Sequence, residues 1–477
     1  MGRKAAITDE TLKSLGLDTL VVLVLEACER DDALDEKVRM LLASRSGGDA
    51  LDAEIGKRIK SLTTGRSFHD WHSAPEFAQS IDALRIAVTE TLGATDPKAA
   101  IARLWQLIEA DGKIMERVDD SSGRIGSALG DAAADLGRLL TTSGGDDSDA
   151  FAERVHKVFL ANTYGVLDGL AAAVAGPMGA KGRAKLRVLF EKTIADAPPV
   201  KPRGNHTRDI NDTRSEMRLS AAVDGLMAIA DADGDVDAFV RAAEASSYRI
   251  VHVDDVAKRL LTAGRPAEAM AWLDCVPPDA GQWRDASGDG LVGLKLTTLD
   301  ALGRKEEAQQ LRLDLFDKHL WATYLREYLK RLADFEDDAV IRKALAHAAT
   351  YPSALEGLLF LVDWPALDAA AELAVKRSAE IDGRHYDLLN HAIDRLEGKH
   401  AVAATILLRA KIDSVLARAS STQYAWAVRD LERCAALARS VDATGTLTNH
   451  AAYLANIRTK HARKSSFMEK MKAAGIG

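Results

Sequence analysis

The stretch Leu260-Leu-Thr-Ala-Gly-Arg-Pro-Ala-Glu-Ala-Met-Ala-Trp-Leu-Asp274 is echoed 39 residues later by Leu299-Asp-Ala-Leu-Gly-Arg-Lys-Glu-Glu-Ala-Gln-Gln-Leu-Arg-Leu313. The two copies share Leu, Gly, Arg, Glu and Ala at five of fifteen positions. In helical hairpin repeats a glycine permits a tight turn between antiparallel helices, and a following alanine lets the second helix approach the first. The offset exceeds the tetratricopeptide period of about 34 residues, and the Pro/Gly-rich stretch from Pro277 to Gly290 supplies the extra length. The echo predicts helical hairpins, with two unrelated helices that both end near Gly-Arg as the alternative.

Helical periodicity continues outside this echo. Apolar residues at Leu51, Ile55, Ile59 and Leu62 form a stripe opposite three basic residues, which is typical of an amphipathic helix. Asp96-Pro97 predicts a helix start, because Asp caps free N–H groups and proline loses no hydrogen bond at the first helical position.

Two further segments complete the secondary-structure prediction. The run from His400 to Leu416 is apolar around most of its circumference and is predicted as a central helix. Tyr248 to Val253 is the one candidate strand and has no second strand to pair with. The predicted fold class is therefore all-α: helical hairpin repeats, as in a tetratricopeptide-like α-solenoid, preceded by a helical N-terminal domain.

Composition supports a helical protein with a sizeable core. The 477 residues are 47% apolar but only 5% aromatic, so small aliphatic side chains must supply most of the buried surface. A net charge of −8 is too mild to identify a partner and has the wrong sign for a dedicated nucleic-acid coat. Between residues 196 and 216 the periodicity stops, which predicts an N-terminal helical domain (1–195), a polar linker (196–216) and a repeat domain (217–477).

Cysteine usage and hydropathy predict a cytoplasmic protein. The sequence has three widely separated cysteines, Cys28, Cys275 and Cys434. This spacing indicates neither a disulfide framework nor a zinc site with thiolate ligands. The most apolar N-terminal stretch, Leu20 to Cys28, contains Glu26 and is predicted to be a core helix rather than a secretory signal. No run is long and apolar enough to predict a membrane span.

Metal-binding motifs are incomplete. Asp231 to Asp237 spaces its carboxylates like a calcium loop but lacks the turn glycine and the bidentate glutamate, and Asp285 to Leu296 lacks the glutamate. His69 and His72 have no nearby third ligand. We predict no metal site and no cofactor, and we interpret the acidic stretches as inter-helix turns.

The most site-like stretch is Asp119 to Ser127, where carboxylates, hydroxyls, an arginine and glycines could hold a polar ligand or phosphate. Asn162 to Asp168 is a similar polar insertion. The candidate ligand-binding residues are Arg117, Asp119, Asp120, Ser121, Ser122, Arg124, Asn162 and Tyr164. The alternative interpretation is a set of capped helix junctions. No GxSxG elbow and no Cys next to a His occurs, so no catalytic residue is assigned and the balance leans away from an enzyme.

The C-terminal segment is basic. Its positive charges are Arg458, Lys460, Arg463, Lys464, Lys470 and Lys472, against Glu469. Such a tail could attract the phosphate backbone of a nucleic acid. A solvated terminal helix is the favoured interpretation, so a nucleic-acid partner is not expected.

The order of motifs along the chain resembles a bacterial, largely proteobacterial, family of uncharacterised proteins with a tetratricopeptide-like C-terminal half. The motifs that carry the resemblance are Arg66–Trp71, Arg117–Gly123, Asn162–Gly165, Asp233–Phe239, Ala301–Ala308, Tyr328–Leu332, Trp364–Asp368, Ala403–Ala410 and His461–Lys464. The resemblance covers nearly the whole chain and supports the fold, but it implies no particular activity.

Three hypotheses follow from the sequence. The first is a helical-repeat scaffold that binds a protein or peptide in the groove formed by hairpins from about Ser220 to Ala438. The second is an enzyme or small-ligand protein with a polar pocket around residues 117–124. The third is nucleic-acid binding through the basic tail.

Overall fold

A computed structural model describes residues 7–197, 210–246, 248–277, 290–333 and 336–476. Over these ranges the fold is all-α, as predicted, and the one β-type contact is an isolated parallel bridge between His69 and Val118. The predicted strand at 248–253 is wrong: Arg249–His252 form a 3-10 turn that leads directly into a helix beginning at Val253. An isolated strand would leave its backbone groups unpaired, whereas the turn and helix satisfy them locally.

The chain divides into two compact units, Met1–Val276 and Pro277–Gly477. In the first unit a π-helical turn, Ala87–Leu92, joins α5 to α6. The helices of the first unit are α1 (Asp9–Lys13), α2 (Leu17–Cys28), α3 (Asp32–Ser46), α4 (Gly48–Thr64), α5 (Ala74–Ile86), α6 (Gly93–Thr95), α7 (Pro97–Ile108), α8 (Asp111–Met115), α9 (Arg124–Thr142), α10 (Asp149–Ala161), α11 (Leu170–Ala175), α12 (Gly179–Ala195), α13 (Ile210–Asp233), α14 (Val236–Glu244), α15 (Val253–Thr262) and α16 (Pro266–Leu273).

The second unit contains short 3-10 turns at Ser378–Glu380 and Ser421–Gln423. Its helices are α17 (Leu291–Ala301), α18 (Lys305–His319), α19 (Ala322–Leu329), α20 (Asp337–Thr350), α21 (Ala354–Asp363), α22 (Leu367–Lys376), α23 (Tyr386–Leu396), α24 (Ala401–Ala417), α25 (Tyr424–Asp442), α26 (His450–His461) and α27 (Ser465–Ala473).

The two echoed stretches form the same helical turn. Gly264 joins α15 to α16 and Gly303 joins α17 to α18, and both have φ +72°. The arginine after each glycine donates its backbone N–H back to a leucine carbonyl, Arg265 to Leu260 and Arg304 to Leu299. Each arginine side chain also forms two hydrogen bonds, 2.5–2.7 Å long, with the glutamate three residues later. The prediction of helical hairpins at this echo is confirmed.

A third turn of this kind lies between α13 and α14. Gly234 has φ +68°, and Asp235 donates its backbone N–H to Ala230. The side chain of Asp235 accepts a hydrogen bond from Ala238 N and so caps α14. The echo in the sequence does not reveal this third turn, because it keeps only the glycine of the five shared residues.

The division between the units does not fall at the predicted linker. Residues 198–209 of that linker lie outside the described ranges, but α13, which follows it, packs on α12. A Cβ placed on Gly225 would lie 2.3 Å from the Phe190 ring, and Ala222 and Ile229 share the hydrophobic core with Phe190. Helix α13 therefore extends the N-terminal core, and the compact units separate after Val276.

Helix α2 forms as predicted but does not lie in a core. None of its residues is buried; Leu17 is 77% exposed and Leu25 is 62% exposed. It packs on α3, where Leu41 and Leu42 are also exposed. The prediction of a core helix is wrong, because apolar side chains are buried only where a partner surface exists.

The other packing predictions hold. Leu51, Ile55, Ile59 and Leu62 are all buried on α4, and Asp96 caps α7 by accepting from Ala99 N at 3.0 Å. Helix α24 is central to the second unit: it packs on α22, α23 and α25, and Leu407 and Leu408 are fully buried. No helix in the described ranges is long and apolar enough to cross a membrane.

Candidate functional site

Most of the predicted ligand-binding residues between 117 and 124 form a helix junction. The Asp120 carboxylate accepts the backbone N–H groups of Ile125 at 3.1 Å and Gly126 at 2.8 Å, and so caps the start of α9. Asp119 accepts the N–H of Ser121 at 3.2 Å in a local turn. Ser121, Ser122 and Arg124 are exposed. The two carboxylates therefore stabilise the backbone rather than face a ligand.

The Asn162–Asp168 loop lies beside this junction and is also held by internal hydrogen bonds. Asn162 donates to the Asp168 carboxylate at 2.7 Å and accepts from Leu167 N at 3.2 Å. Burial raises the pKa of Asp168. The loop contacts α9, since a Cβ on Gly126 would lie 3.1 Å from Val166. Tyr164 is 47% exposed. The structure thus brings the two stretches together at one end of α9.

Arg117 is the exception among the predicted residues. Its Nη2 donates to the Leu62 carbonyl at 2.9 Å, at the C-terminal end of α4. Its Nε and Nη1 are buried and have no hydrogen-bond partner in the described part of the chain. Buried polar groups are normally paired, so these two nitrogens mark a place where a partner is expected.

Arg117 lines a cavity of about 380 Å³, named here the Arg117 cavity. The cavity is lined by α4, the N-terminal half of α5, the segment between them and Arg117. Its wall includes the His69 ring, which stacks on Phe77 with centroids 4.0 Å apart. The lining residues are Arg58, Ser61, Leu62, Gly65, Ser67, His69, Ser73, Glu76, Phe77, Ser80 and Arg117. The cavity offers many hydrogen-bond donors and is suited to an anion.

The two arginines of the Arg117 cavity differ in whether a carboxylate of the chain neutralises their positive charge. Arg58 Nε lies 3.0 Å from the buried Glu36 carboxylate, and its Nη2 lies 3.5 Å from the Ser80 hydroxyl. Arg117 has no carboxylate partner among the residues described. Glu76 is the acidic side chain in the lining and is exposed. The positive charge of Arg117 is therefore the uncompensated one.

The second unit holds a groove of about 360 Å³, named here the Trp426 groove. It lies between α23 and α25, above α24. Its floor is the ion pair between Lys411 and Asp430, 2.9 Å apart, and Lys411 also donates to Asn390. The lining residues are Tyr386, Asp387, Asn390, Asp394, Lys411, Trp426, Arg429, Asp430 and Arg433.

The rim of the Trp426 groove is aromatic and charged. Trp426 is 46% exposed and meets Tyr386 edge-to-face at 6.0 Å. Arg433 is paired with Asp394 at 2.6 Å. Asp387 and Arg429 are exposed on the two flanking helices, and neither has an ion-pair partner in the described residues. A ligand that carries both an apolar group and charges would match this surface.

Sequence reasoning missed the Trp426 groove because its residues come from three helices up to 47 positions apart. One signal was present: Lys411 lies in the segment from His400 to Leu416, which is apolar around most of its circumference. A lysine in a buried helix requires a partner, and Asp430 supplies it from the next helix.

The acidic turn at 231–237 is held by arginines. Asp231 forms two hydrogen bonds with Arg259, Asp233 bridges Arg183 and Arg187, and Asp237 pairs with Arg265. These contacts favour the inter-helix turn interpretation. The described residues contain no cluster of three metal-ligating side chains. Residues 285–289 of the second acidic motif at 285–296, which include both of its aspartates, lie outside the described ranges.

The basic C-terminal segment folds into α26 and α27. Ile457, Phe467 and Met471 are buried in the core of the second unit, while Lys460, Arg463, Lys470 and Lys472 are exposed. Both helices pack on α25, so the segment is an integral part of the second unit, and its exposed basic side chains agree with the favoured solvated-helix interpretation.

Comparison with known proteins gives a family without an assigned activity. Among the solved structures that match is one described as a "circular tandem repeat protein with novel repeat topology and enhanced subunit contact surfaces"; it is 14% identical and the match covers 98% of this chain and 94% of that chain, with a TM-score of 0.17. At that TM-score the all-α architecture rests on the helices of this chain alone. No curated protein matches significantly. A model described as "Family of unknown function (DUF6880)" matches residues 2–470, and the chain therefore belongs to the DUF6880 family.

Proposed function

We propose that the protein is a helical-repeat scaffold whose second unit, tetratricopeptide-like in its hairpins, binds a peptide segment of a partner protein in the Trp426 groove. The observation that carries this proposal is an aromatic pair, the exposed Trp426 and the half-buried Tyr386, beside a buried polar floor. Tryptophan and tyrosine are enriched where a few side chains dominate binding. Grooves between packed helices are the usual recognition surfaces of helical repeats.

The charged side chains of the Trp426 groove indicate which side chains a bound peptide would carry. Asp387 on α23 and Arg429 on α25 are exposed, and neither forms an ion pair within the described part of the chain, although the charge of Arg429 also acts on Asp430. A peptide with an apolar side chain against Trp426, a basic residue near Asp387 and an acidic residue near Arg429 complements this arrangement. The proposal does not require catalysis, and the groove supplies an anchor, orientation and charge selectivity.

We further propose a reducing, bacterial cytoplasmic setting. The three cysteines are unpaired, and Cys28, Cys275 and Cys434 differ in exposure. Burial raises the pKa of the Cys434 thiol to about 12, so it stays protonated at neutral pH. Unpaired thiols are typical of proteins in reducing compartments.

A peptide-display selection on the purified protein tests the scaffold proposal. We expect enriched peptides with the apolar, basic and acidic positions described above. Their dissociation constant, measured by fluorescence anisotropy, should rise at least about tenfold in Trp426→Ala, as for a central aromatic anchor. Arg429→Glu should weaken binding, and a peptide whose acidic residue is changed to lysine should recover it.

Lys376→Ala is the matched control, because Lys376 lies on the surface of α22 in the same unit and pairs locally with Glu372. Its peptide affinity should equal that of the unchanged protein. Selection that enriches no sequence above the Trp426→Ala background, or peptides that bind Trp426→Ala equally well, would show that the groove is not the binding site.

A further inference from the structure

Two separate stretches of the first unit bond to each other and hold the backbone of Arg117 in place. His69 N–H donates to the Arg117 carbonyl at 2.8 Å, and Asp119 N–H donates to the His69 carbonyl at 2.8 Å. These two bonds form the isolated bridge and align residues 66–69 with 117–119. The backbone that carries Arg117 is therefore fixed against the start of α5.

The guanidinium itself is fixed by α4. Nη2 bonds to the Leu62 carbonyl, and Nη1 packs against Gly65 so closely that a Cβ there would lie 2.3 Å from it. Gly65 has φ −57° and ψ 147°, which any residue can adopt. The glycine is needed here for space rather than for backbone conformation, and the space is occupied by a cation.

An anion is the partner that this arrangement lacks. Arg58 is compensated by Glu36, whereas Arg117 keeps two buried, unpaired nitrogens beside an open cavity. Leaving charged donors desolvated and unpaired is unfavourable, and an oxyanion bound beside the guanidinium would compensate its charge. Serine hydroxyls at positions 61, 67 and 73 line the same space.

We propose that the Arg117 cavity binds the phosphate group of a small phosphorylated molecule. The Arg117 guanidinium has no anionic partner among the described residues, and a phosphate group opposes it with more negative charge and more acceptor oxygens than a carboxylate does. At about 380 Å³ the cavity is larger than a phosphate alone and falls within the usual small-ligand range. The flat His69–Phe77 wall leaves an apolar surface for the rest of the molecule.

Titration with inorganic phosphate and with phosphoserine, followed by calorimetry and thermal unfolding, tests the proposal. Sodium acetate and sodium chloride at matched ionic strength serve as reference anions. We expect saturable binding and a rise in Tm with both phosphate compounds but not with acetate or chloride. Arg117→Gln should weaken binding at least about tenfold.

Gly65→Ala keeps every charge and should weaken binding through displacement of the guanidinium, so it gives an answer even if Arg117→Gln does not fold. Arg39→Gln, at an exposed arginine of α3 that pairs with Asp35, is the control and should bind normally. The proposal is wrong if phosphate binding does not saturate, if acetate is equally effective, or if Gly65→Ala binds phosphate like the unchanged protein. None of these variants touches the Trp426 groove, so the two proposals fail independently.

Discussion

The Lys411 ammonium lies 2.9 Å from the Asp430 carboxylate, and the two side chains are 4% and 10% exposed. Burial raises the pKa of Asp430, while the charge of Lys411 opposes this shift. Lys411→Met should therefore lower the free energy of unfolding by about 3–5 kcal/mol, because it leaves a buried carboxylate unpaired. The double variant Lys411→Met, Asp430→Leu should lose much less free energy of unfolding than Lys411→Met alone. Urea denaturation of the two single variants and the double variant measures this coupling, and additive losses would contradict it.

The core position of α24 predicts the outcome of a charge substitution. Leu408 is fully buried, so Leu408→Asp should abolish soluble expression. Leu388→Asp is the matched control, since Leu388 is 45% exposed on the neighbouring helix α23. The control should be soluble, with a Tm within a few degrees of the unchanged protein. An unchanged Tm in Leu408→Asp would show that this face of α24 does not lie in the core.

Two glycines of the second unit should respond oppositely to alanine. A Cβ on Gly357 would lie 2.3 Å from the Ala348 carbonyl oxygen, where α20 and α21 approach closely. Gly357→Ala should cost about 1–3 kcal/mol through overpacking. Gly398 has open space around its Cα, so Gly398→Ala should be neutral or add up to about 1 kcal/mol. Equal effects in chemical denaturation would show that α20 and α21 are not in this contact.

His156 predicts a pH dependence of stability. Burial, and then the charge of Arg218, lower the pKa of His156 below its usual value. The unfolded chain therefore binds this proton at a higher pH than the folded protein does. The contribution is fully present above about pH 6.5 and is lost as the pH falls through the lowered pKa.

The measurement is the free energy of unfolding at about pH 7.5 and about pH 5 in the unchanged protein and in His156→Gln. The unchanged protein should lose more stability on acidification than the variant. His72→Gln is the control, since His72 is exposed. An identical loss in His156→Gln and the unchanged protein would mean that His156 titrates normally.

The basic tail requires a test that preserves the fold. Deletion of residues 456–477 removes Ile457, Phe467 and Met471 from the core and should lower Tm by more than about 5 °C. Lys470→Glu with Lys472→Glu changes only exposed charges and should leave Tm nearly unchanged. If the double variant loses a salt-sensitive affinity for nucleic acid that the unchanged protein has, the third hypothesis from the sequence would be supported.

Local chemistry made much of the fold predictable. The stripe from Leu51 to Leu62, the Asp96 cap and the Gly264 and Gly303 turns each depend on residues within one or two helical turns, so the sequence contains the whole interaction. Burial of α2 was predicted wrongly for the complementary reason. Periodicity identifies an apolar face, but it does not say whether another element covers that face.

The candidate sites depend on longer-range contacts. Arg117 was singled out together with Asp119 and Asp120, yet Asp120 caps a helix and Asp119 closes a local turn, while the guanidinium turns toward Leu62, 55 residues earlier. The direction of a side chain in a polar loop depends on which surface the loop packs against. For the same reason, neither the Arg117 cavity nor the Trp426 groove could be assembled from the sequence alone.

Gly65 and Arg117 occupy a space that admits only one side chain. We therefore expect the two positions to covary among homologous chains, although they lie 52 positions apart. Homologous chains that keep arginine at the second position should keep glycine at the first, whereas chains with a shorter residue at the second are free to carry a methyl group or more at the first. An alignment of the family would reveal this pairwise constraint as covariation between two columns that share no local motif.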